Sequence, residues 1–123
     1  MLIDSSGWIE FFTGGPLAGT YAKYFGRPSE LITPTIVLYE VYKIVRRERT
    51  EEAALAAAAT MGQTRLVPLS EQIALTAAEV SLDHQLAMAD AIVYATALSE
   101  NTRLVTSDAD LARLPGVHYL KKP

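Results

Sequence analysis

Cysteine is missing from this 123-residue chain. Disulfides, thiolate-bound zinc and cysteine nucleophiles are excluded together, and a reducing cytoplasm suits such a sequence. Cations are in deficit too: 11 Lys and Arg face 14 Asp and Glu, a net charge of −3, whereas polyanion binders usually carry a basic excess. Contact with nucleic acid would therefore need a local basic patch and a bound metal. No apolar run approaches the roughly 20 residues of a membrane span; the longest lies around Leu31 to Tyr39. The N-terminus has no basic leader region and meets an acid at Asp4. An unsecreted cytoplasmic protein with no membrane partner is expected. Repeats, linkers and low-complexity segments are also lacking, so residues 1–123 read as one domain.

What is present alternates between short apolar runs and helical patterns. Strands are expected at Met1 to Ile3, Glu30 to Ile32, Arg65 to Leu69, Leu104 to Thr106 and, as an edge strand, Val117 to Leu120. Between them, a first helix capped by Ser5 or Ser6 runs through Phe12 and stops at Gly14-Gly15-Pro16, and a second covers about Leu17 to Phe25. Thr33-Pro34 suits the entry of a helix reaching about Arg49, with Thr33 as its cap. Thr50 caps an alanine-rich helix to Met61, Ser70 a helix to Leu82, and further helices span Ala87 to Ser99 and Asp108 to Leu114. Alternating strands and helices without a hairpin signal predict a three-layer α/β/α arrangement around a parallel sheet of four to five strands.

Against this frame, four acids stand where a structural role gains little. Asp4 closes the opening run, Asp108 follows Leu104-Val105-Thr106-Ser107, and Asp90 lies among alanines. Glu40 shares a helix face with Ile36 and Ile44, one turn before and after it. In open parallel sheets the functional crevice lies beyond the carboxyl ends of the strands, where Asp4 and Asp108 fall. Capping and the helix dipole account for acids near helix starts and suffice for Asp4, Asp90 and Asp108 taken singly. Neither explains Glu40. Carboxylates gathered together raise one another's pKa unless a cation sits among them, so the set predicts a hard divalent ion.

Four segments carry a resemblance: Met1-Leu2-Ile3-Asp4-Ser5-Ser6; Thr35-Ile36-Val37-Leu38-Tyr39-Glu40-Val41; Met88-Ala89-Asp90-Ala91-Ile92-Val93-Tyr94-Ala95-Thr96-Ala97; and Leu104-Val105-Thr106-Ser107-Asp108-Ala109-Asp110-Leu111. In order and spacing across nearly the whole chain they resemble the blocks of PIN-domain ribonucleases, specifically the VapC toxins of type II toxin–antitoxin modules. The resemblance implies a PIN-like fold, endoribonuclease activity dependent on Mg²⁺ or Mn²⁺, a homodimer, and inhibition by a cognate VapB-type antitoxin. It places Asp4, Glu40, Asp90 and Asp108 on the family's acidic positions and leaves Asp110 open, since members differ over which acid of the last block approaches the metal. Ser6 and Thr106 would support the site as hydroxyls able to bond a carboxylate or a coordinated water.

Mg²⁺ takes oxygen ligands and needs neither histidine nor cysteine. Asp4 and Asp90 are expected as the principal ligands, with Glu40 and Asp108 binding directly or through water and one of them orienting the attacking water. Lys43, Arg46 and Arg47 follow Glu40 on its helix and are expected either to hold RNA phosphates or to form a solvated face. Trp8, Phe11 and Phe12 are expected in the core, with part of the cluster exposed to an antitoxin; Leu38, Tyr39 and Tyr42 would suit a dimer interface. His84 and His118 lack ligand spacing. The competing expectation is a catalytically inactive PIN-like protein-binding module. A phospho-aspartyl phosphatase is disfavoured because Ser5 and Ser6 follow Asp4 where a second aspartate would be needed.

Overall fold

The computed structural model describes residues Met1–Pro123. Five strands, β1 (Leu2–Ile3), β2 (Ile32–Pro34), β3 (Arg65–Val67), β4 (Leu104–Thr106) and β5 (Val117–Tyr119), form one sheet in the order β3-β2-β1-β4-β5, every pair parallel. Six α-helices flank it: α1 (Ser5–Thr13), α2 (Ala18–Ala22), α3 (Thr35–Glu48), α4 (Glu51–Met61), α5 (Glu71–His84) and α6 (Met88–Ser99). This is the expected α/β arrangement around a parallel sheet, with five strands. Leu2, Ile3, Leu104 and Val105 are wholly buried, as expected where helices cover a parallel sheet. The chain leaves β1 towards β2 on one side and later pairs β4 on the other, so the connections diverge beside β1 and open a crevice at its carboxyl end. Both β1 and β4 run straight into that crevice.

Several local expectations change. Asp4 itself caps α1, its side chain accepting the Gly7 N–H; Ser6 sits inside the helix and bonds back to Asp4. Gly14, at φ 70°, closes α1 as a left-handed C-cap. The second helix is shorter, passing into a 3₁₀ turn at Lys23–Gly26. The second strand lies two residues later and absorbs Thr33, which is wholly buried with its hydroxyl 2.6 Å from that of Thr64. Thr64 in turn donates to the Met61 carbonyl. Burial among strands outweighs capping for Thr33, and α3 begins after Pro34 without a side-chain cap. The last helix contracts to a 3₁₀ turn, Ala109–Leu111, capped by Asp108.

Helix α3 buries Val37, Val41 and Val45. The neighbouring row of Ile36, Glu40 and Ile44 is only half-buried, so Glu40 lies at the edge of the core and not within it. In α6 every residue from Ala91 to Ala97 is buried, the pattern of a helix apolar on all sides and enclosed by others. Its small side chains permit close packing, and it brings Asp90, in its first turn, to the crevice.

Candidate metal centre

The crevice is built on Asp4. It is 4% exposed, and each of its carboxylate oxygens accepts a hydroxyl at 2.6 Å: Oδ1 from Ser6, Oδ2 from Thr106. Each hydroxyl also accepts a backbone N–H of the loop after β4, Ser6 from Ser107 and Thr106 from Asp108, both at 2.9 Å. A hydroxyl that accepts from a backbone amide has its proton free to point elsewhere, and here both protons point at Asp4. Residues about a hundred positions apart in the chain are thus joined through one carboxylate. Burial pushes the Asp4 carboxyl up to about 6 against the bonds from Ser6, Thr106 and Gly7, and the charge of Asp108 adds to the rise.

Three further acids converge beside it. Asp90, Asp108 and Asp110 each offer a carboxylate oxygen, and these atoms lie within 4.8 Å of one another. Burial, then the nearby Asp108 carboxylate, then the charges of Asp4 and Asp110, raise Asp90 to about 7. Glu40 is raised by partial burial and by Asp108, opposed by a hydrogen bond from Ser5. Asp4, Glu40 and Asp90 all feel the charge of Asp108, which makes it the acid common to the whole set. The molecule's ion pairs, Arg27–Glu30, Arg47–Glu48, Arg65–Glu100 and Lys122–Glu10, all lie elsewhere. The tightest group differs from the Asp4–Asp90 pair singled out above. It includes Asp110; Asp4 lies beside it, and its Oδ2 accepts one hydroxyl and keeps a lone pair for an ion.

Two residues outside the sequence motifs hold this geometry. Tyr21 is wholly buried, and its hydroxyl lies 2.6 Å from the Ser107 hydroxyl. Burial first, moderated by Ser107, pushes its phenol up to about 12, so it remains a neutral hydrogen-bonding group. Gly7 lies against the same ring. A Cβ there would collide with Tyr21 and stand 2.7 Å from Ile3 Cγ2. Only a fold that crosses Tyr21 over α1 makes either residue significant, and nothing local in the sequence marks them.

The remaining candidates sit apart. Lys43, Arg46 and Arg47 surround a hollow of about 610 Å³ with Leu38, Tyr39 and Tyr42, and none of the five acids lines it. The Lys43 ammonium stands 5.5 Å over the Tyr39 ring. Trp8 is 1% exposed, stacked on Phe25 at 4.1 Å and on Phe12 at 5.8 Å. It is core and offers a partner no surface; Phe11 and Phe12 are half-buried and keep some.

The family profile of the PIN domain matches residues 1–117. The chain belongs to the PIN-domain family. Solved structures similar to this PIN domain include a toxin–antitoxin complex from Klebsiella pneumoniae, 24% identical, with a TM-score of 0.83 over 98% of both chains. The sarcin-ricin loop cleaving toxin VapC20 of Mycobacterium tuberculosis is 21% identical, with a TM-score of 0.75 over 90% of both chains. VapBC2 from Rickettsia felis, bound to a DNA fragment from its promoter, is 15% identical, with a TM-score of 0.77 over 98% of this chain and 96% of that one. At such identities the likeness establishes the fold. No curated protein matches the sequence. The crevice of this PIN domain offers only carboxylate and hydroxyl oxygen, a donor set for a hard cation. Oxygens around an octahedral ion with bonds of about 2.1 Å stand roughly 3 to 4 Å apart, so the Asp90–Asp108–Asp110 group fits one after small side-chain rotations.

Proposed function

We propose that this PIN domain is a metal-dependent endoribonuclease, the toxin of a toxin–antitoxin pair, restrained by a cognate VapB-type antitoxin. The observation that carries the proposal is the convergence of Asp90, Asp108 and Asp110 within 4.8 Å beside the buried Asp4, at the carboxyl ends of β1 and β4. Asp90, Asp108 and Asp110 would hold Mg²⁺ or Mn²⁺, with Asp4 bordering them through its Ser6 and Thr106 anchors. Such an ion lowers the pKa of water and offsets charge developing on phosphoryl oxygens. Glu40, its affinity for protons raised by partial burial and by Asp108, is suited to take a proton from the attacking water at its carboxylate. The similar structures, a sarcin-ricin loop cleaving toxin and toxin–antitoxin complexes, support the RNA substrate and the antitoxin. Half-buried Phe11 and Phe12 suit a docked antitoxin segment. Leu38, Tyr39 and Tyr42, which line an open hollow on α3 with Tyr39 exposed, suit a homodimer. No helix is long and apolar enough to cross a membrane.

The test is cleavage of total cellular RNA by purified protein with Mg²⁺ or Mn²⁺, beside EDTA and Asp4→Asn controls. Discrete fragments lost in both controls are expected. A folded, antitoxin-free protein that neither cuts RNA nor binds Mn²⁺ would instead be an inactive protein-binding module.

Tyr21→Phe removes one hydroxyl and leaves the ring. It should lower stability by about 1 kcal/mol and weaken Mn²⁺ binding by about tenfold, the effect typical of losing a group that orients ligands. Calorimetric titration reads the second effect directly. Unchanged Mn²⁺ affinity would limit Tyr21 to a packing role.

A further inference from the structure

Several hollows on the surface are lined by cations, and only one of them also includes an acid of the metal group. The hollow between α3 and α4 holds Lys43, Arg46 and Arg47 and none of the crevice carboxylates. A second, of about 380 Å³, is lined by Asp83, His84 and Gln85 from the end of α5 and by Asp110, Arg113 and Leu114 after β4. Its volume falls in the range of small-ligand pockets, about 300 to 1,000 Å³. Asp110 belongs both to this hollow and to the tight acidic group, so the two are contiguous. Arg113 is exposed and makes neither an ion pair nor a side-chain hydrogen bond, although two carboxylates line the same hollow. His84 is held with its ring 6.3 Å from that of Tyr94, edge to face. Gln85 closes α5 at φ 57°, a left-handed conformation uncommon outside glycine and asparagine.

We propose that this hollow is a nucleotide subsite of the nuclease, taking the residue of the RNA strand next to the scissile phosphate. The proposal rests on the nuclease reading. A chain of net charge −3 with five acids at its crevice repels a polyanion, so a substrate phosphate needs a cation beside the cluster. Arg113 meets that need. Its guanidinium has no internal partner, matches a phosphate bidentately, and borders Asp110. His84 and Gln85 would meet the base, the imidazole by stacking and the amide by hydrogen bonding, as proteins read unpaired RNA bases. On this assignment the strand crosses the end of α5 and the turn after β4, not the basic run of α3.

The experiment measures binding and steady-state cleavage of a fluorescein-labelled mixed-sequence RNA 12-mer over a salt series, with calorimetric Mn²⁺ titrations. The proteins are wild type, Arg113→Ala, Arg113→Lys, His84→Ala and the Arg46→Ala/Arg47→Ala pair. Arg113→Ala should raise KM and Kd about tenfold and reduce the salt slope by about one ion, the signature of one lost phosphate contact. It should leave kcat within about twofold and Mn²⁺ affinity unchanged, with partial recovery in Arg113→Lys. His84→Ala should alter which sites are cut more than how tightly RNA binds. RNA affinity within twofold of wild type in Arg113→Ala, or a loss carried by Arg46 and Arg47 instead, overturns the subsite. So does loss of antitoxin binding with RNA binding intact. In those cases the wild type still cuts RNA and the nuclease reading stands; a wild type that does not cut RNA overturns both.

Discussion

Asp90→Asn is expected to stabilise the metal-free protein while lowering RNA cleavage by at least about a thousandfold, the scale of removing a group essential to the charge balance of the transition state. The stability effect follows from linkage. Burial and the neighbouring carboxylates raise Asp90 from 3.8 to about 7 in the folded chain, so the folded state holds this proton more tightly than the unfolded state does. Its contribution is fully present below about 3.8 and is lost as pH rises through about 7. Asp4, raised to about 6, adds a similar loss at slightly lower pH. Metal-free wild type should therefore weaken between about pH 4 and 7, the reverse of a protein whose carboxylates are paired with cations. Asp90 is half exposed, and after allowing for solvent screening its share is about 1 to 2 kcal/mol, or several degrees in Tm. Melting curves from pH 5 to 8, in EDTA and in Mn²⁺, check the account. The asparagine variant should melt above wild type in EDTA at pH 8, and Mn²⁺ should raise the wild type alone. A variant less stable than wild type in EDTA, or stabilised equally by Mn²⁺, would show that Asp90 is not a member of the metal group.

Gly7→Ala should destabilise the fold by about 2 kcal/mol, within the range for an extra methyl forced into a packed interior. In most helices the same exchange helps, by up to about 1 kcal/mol. The clash wins at this position because neither neighbour can give way. Tyr21 is wholly buried, with its hydroxyl held by Ser107, and Ile3 is wholly buried in β1. Displacing either would shift α1 away from β1, carrying Ser6 away from Asp4. Cleavage and Mn²⁺ affinity should fall with stability. Urea unfolding measures the first effect; a midpoint at or above that of wild type would mean that the ring moves freely and that Tyr21 does not anchor the crevice.

Local pattern made much of the architecture readable. Apolar runs of strand length, alternating with caps such as Thr50 and Ser70, set the order of the elements and the parallel sheet, because capping and periodicity act over a few residues. Where two local signals compete at one residue, tertiary burial chose between them. Thr33 had the character of a helix cap but became part of β2, since its hydroxyl finds Thr64 in the interior. Asp4 took the capping role from Ser5 and Ser6 because it leaves β1 in extended geometry directly before the helix. Among the aromatics, Trp8 stacks inward, although nothing in its spacing separates it from half-buried Phe11 and Phe12.

The candidate site divides in the same way. Acids at the ends of apolar runs, and one acid on a half-apolar helix face, were visible as sequence and already specified oxygen-ligand chemistry, because residue type alone excludes soft ligands. Which of those acids stand within reach of one ion was decided by the order β3-β2-β1-β4-β5. That order sets β4 beside β1, draws Asp90 in on α6, groups it with Asp108 and Asp110, and lays Tyr21 across Gly7 onto Ser107. It also separates the basic run of α3 from the acids and sets the end of α5 against the turn that carries Asp110 and Arg113. The sequence determined the kind of chemistry and the elements that carry it, since both depend on single residues and near neighbours. The joining of Asp4 to Thr106, the convergence of Asp90 with Asp108 and Asp110, and the raised pKa values of Asp4 and Asp90 depend on distances between separate elements, which only the packed sheet defines.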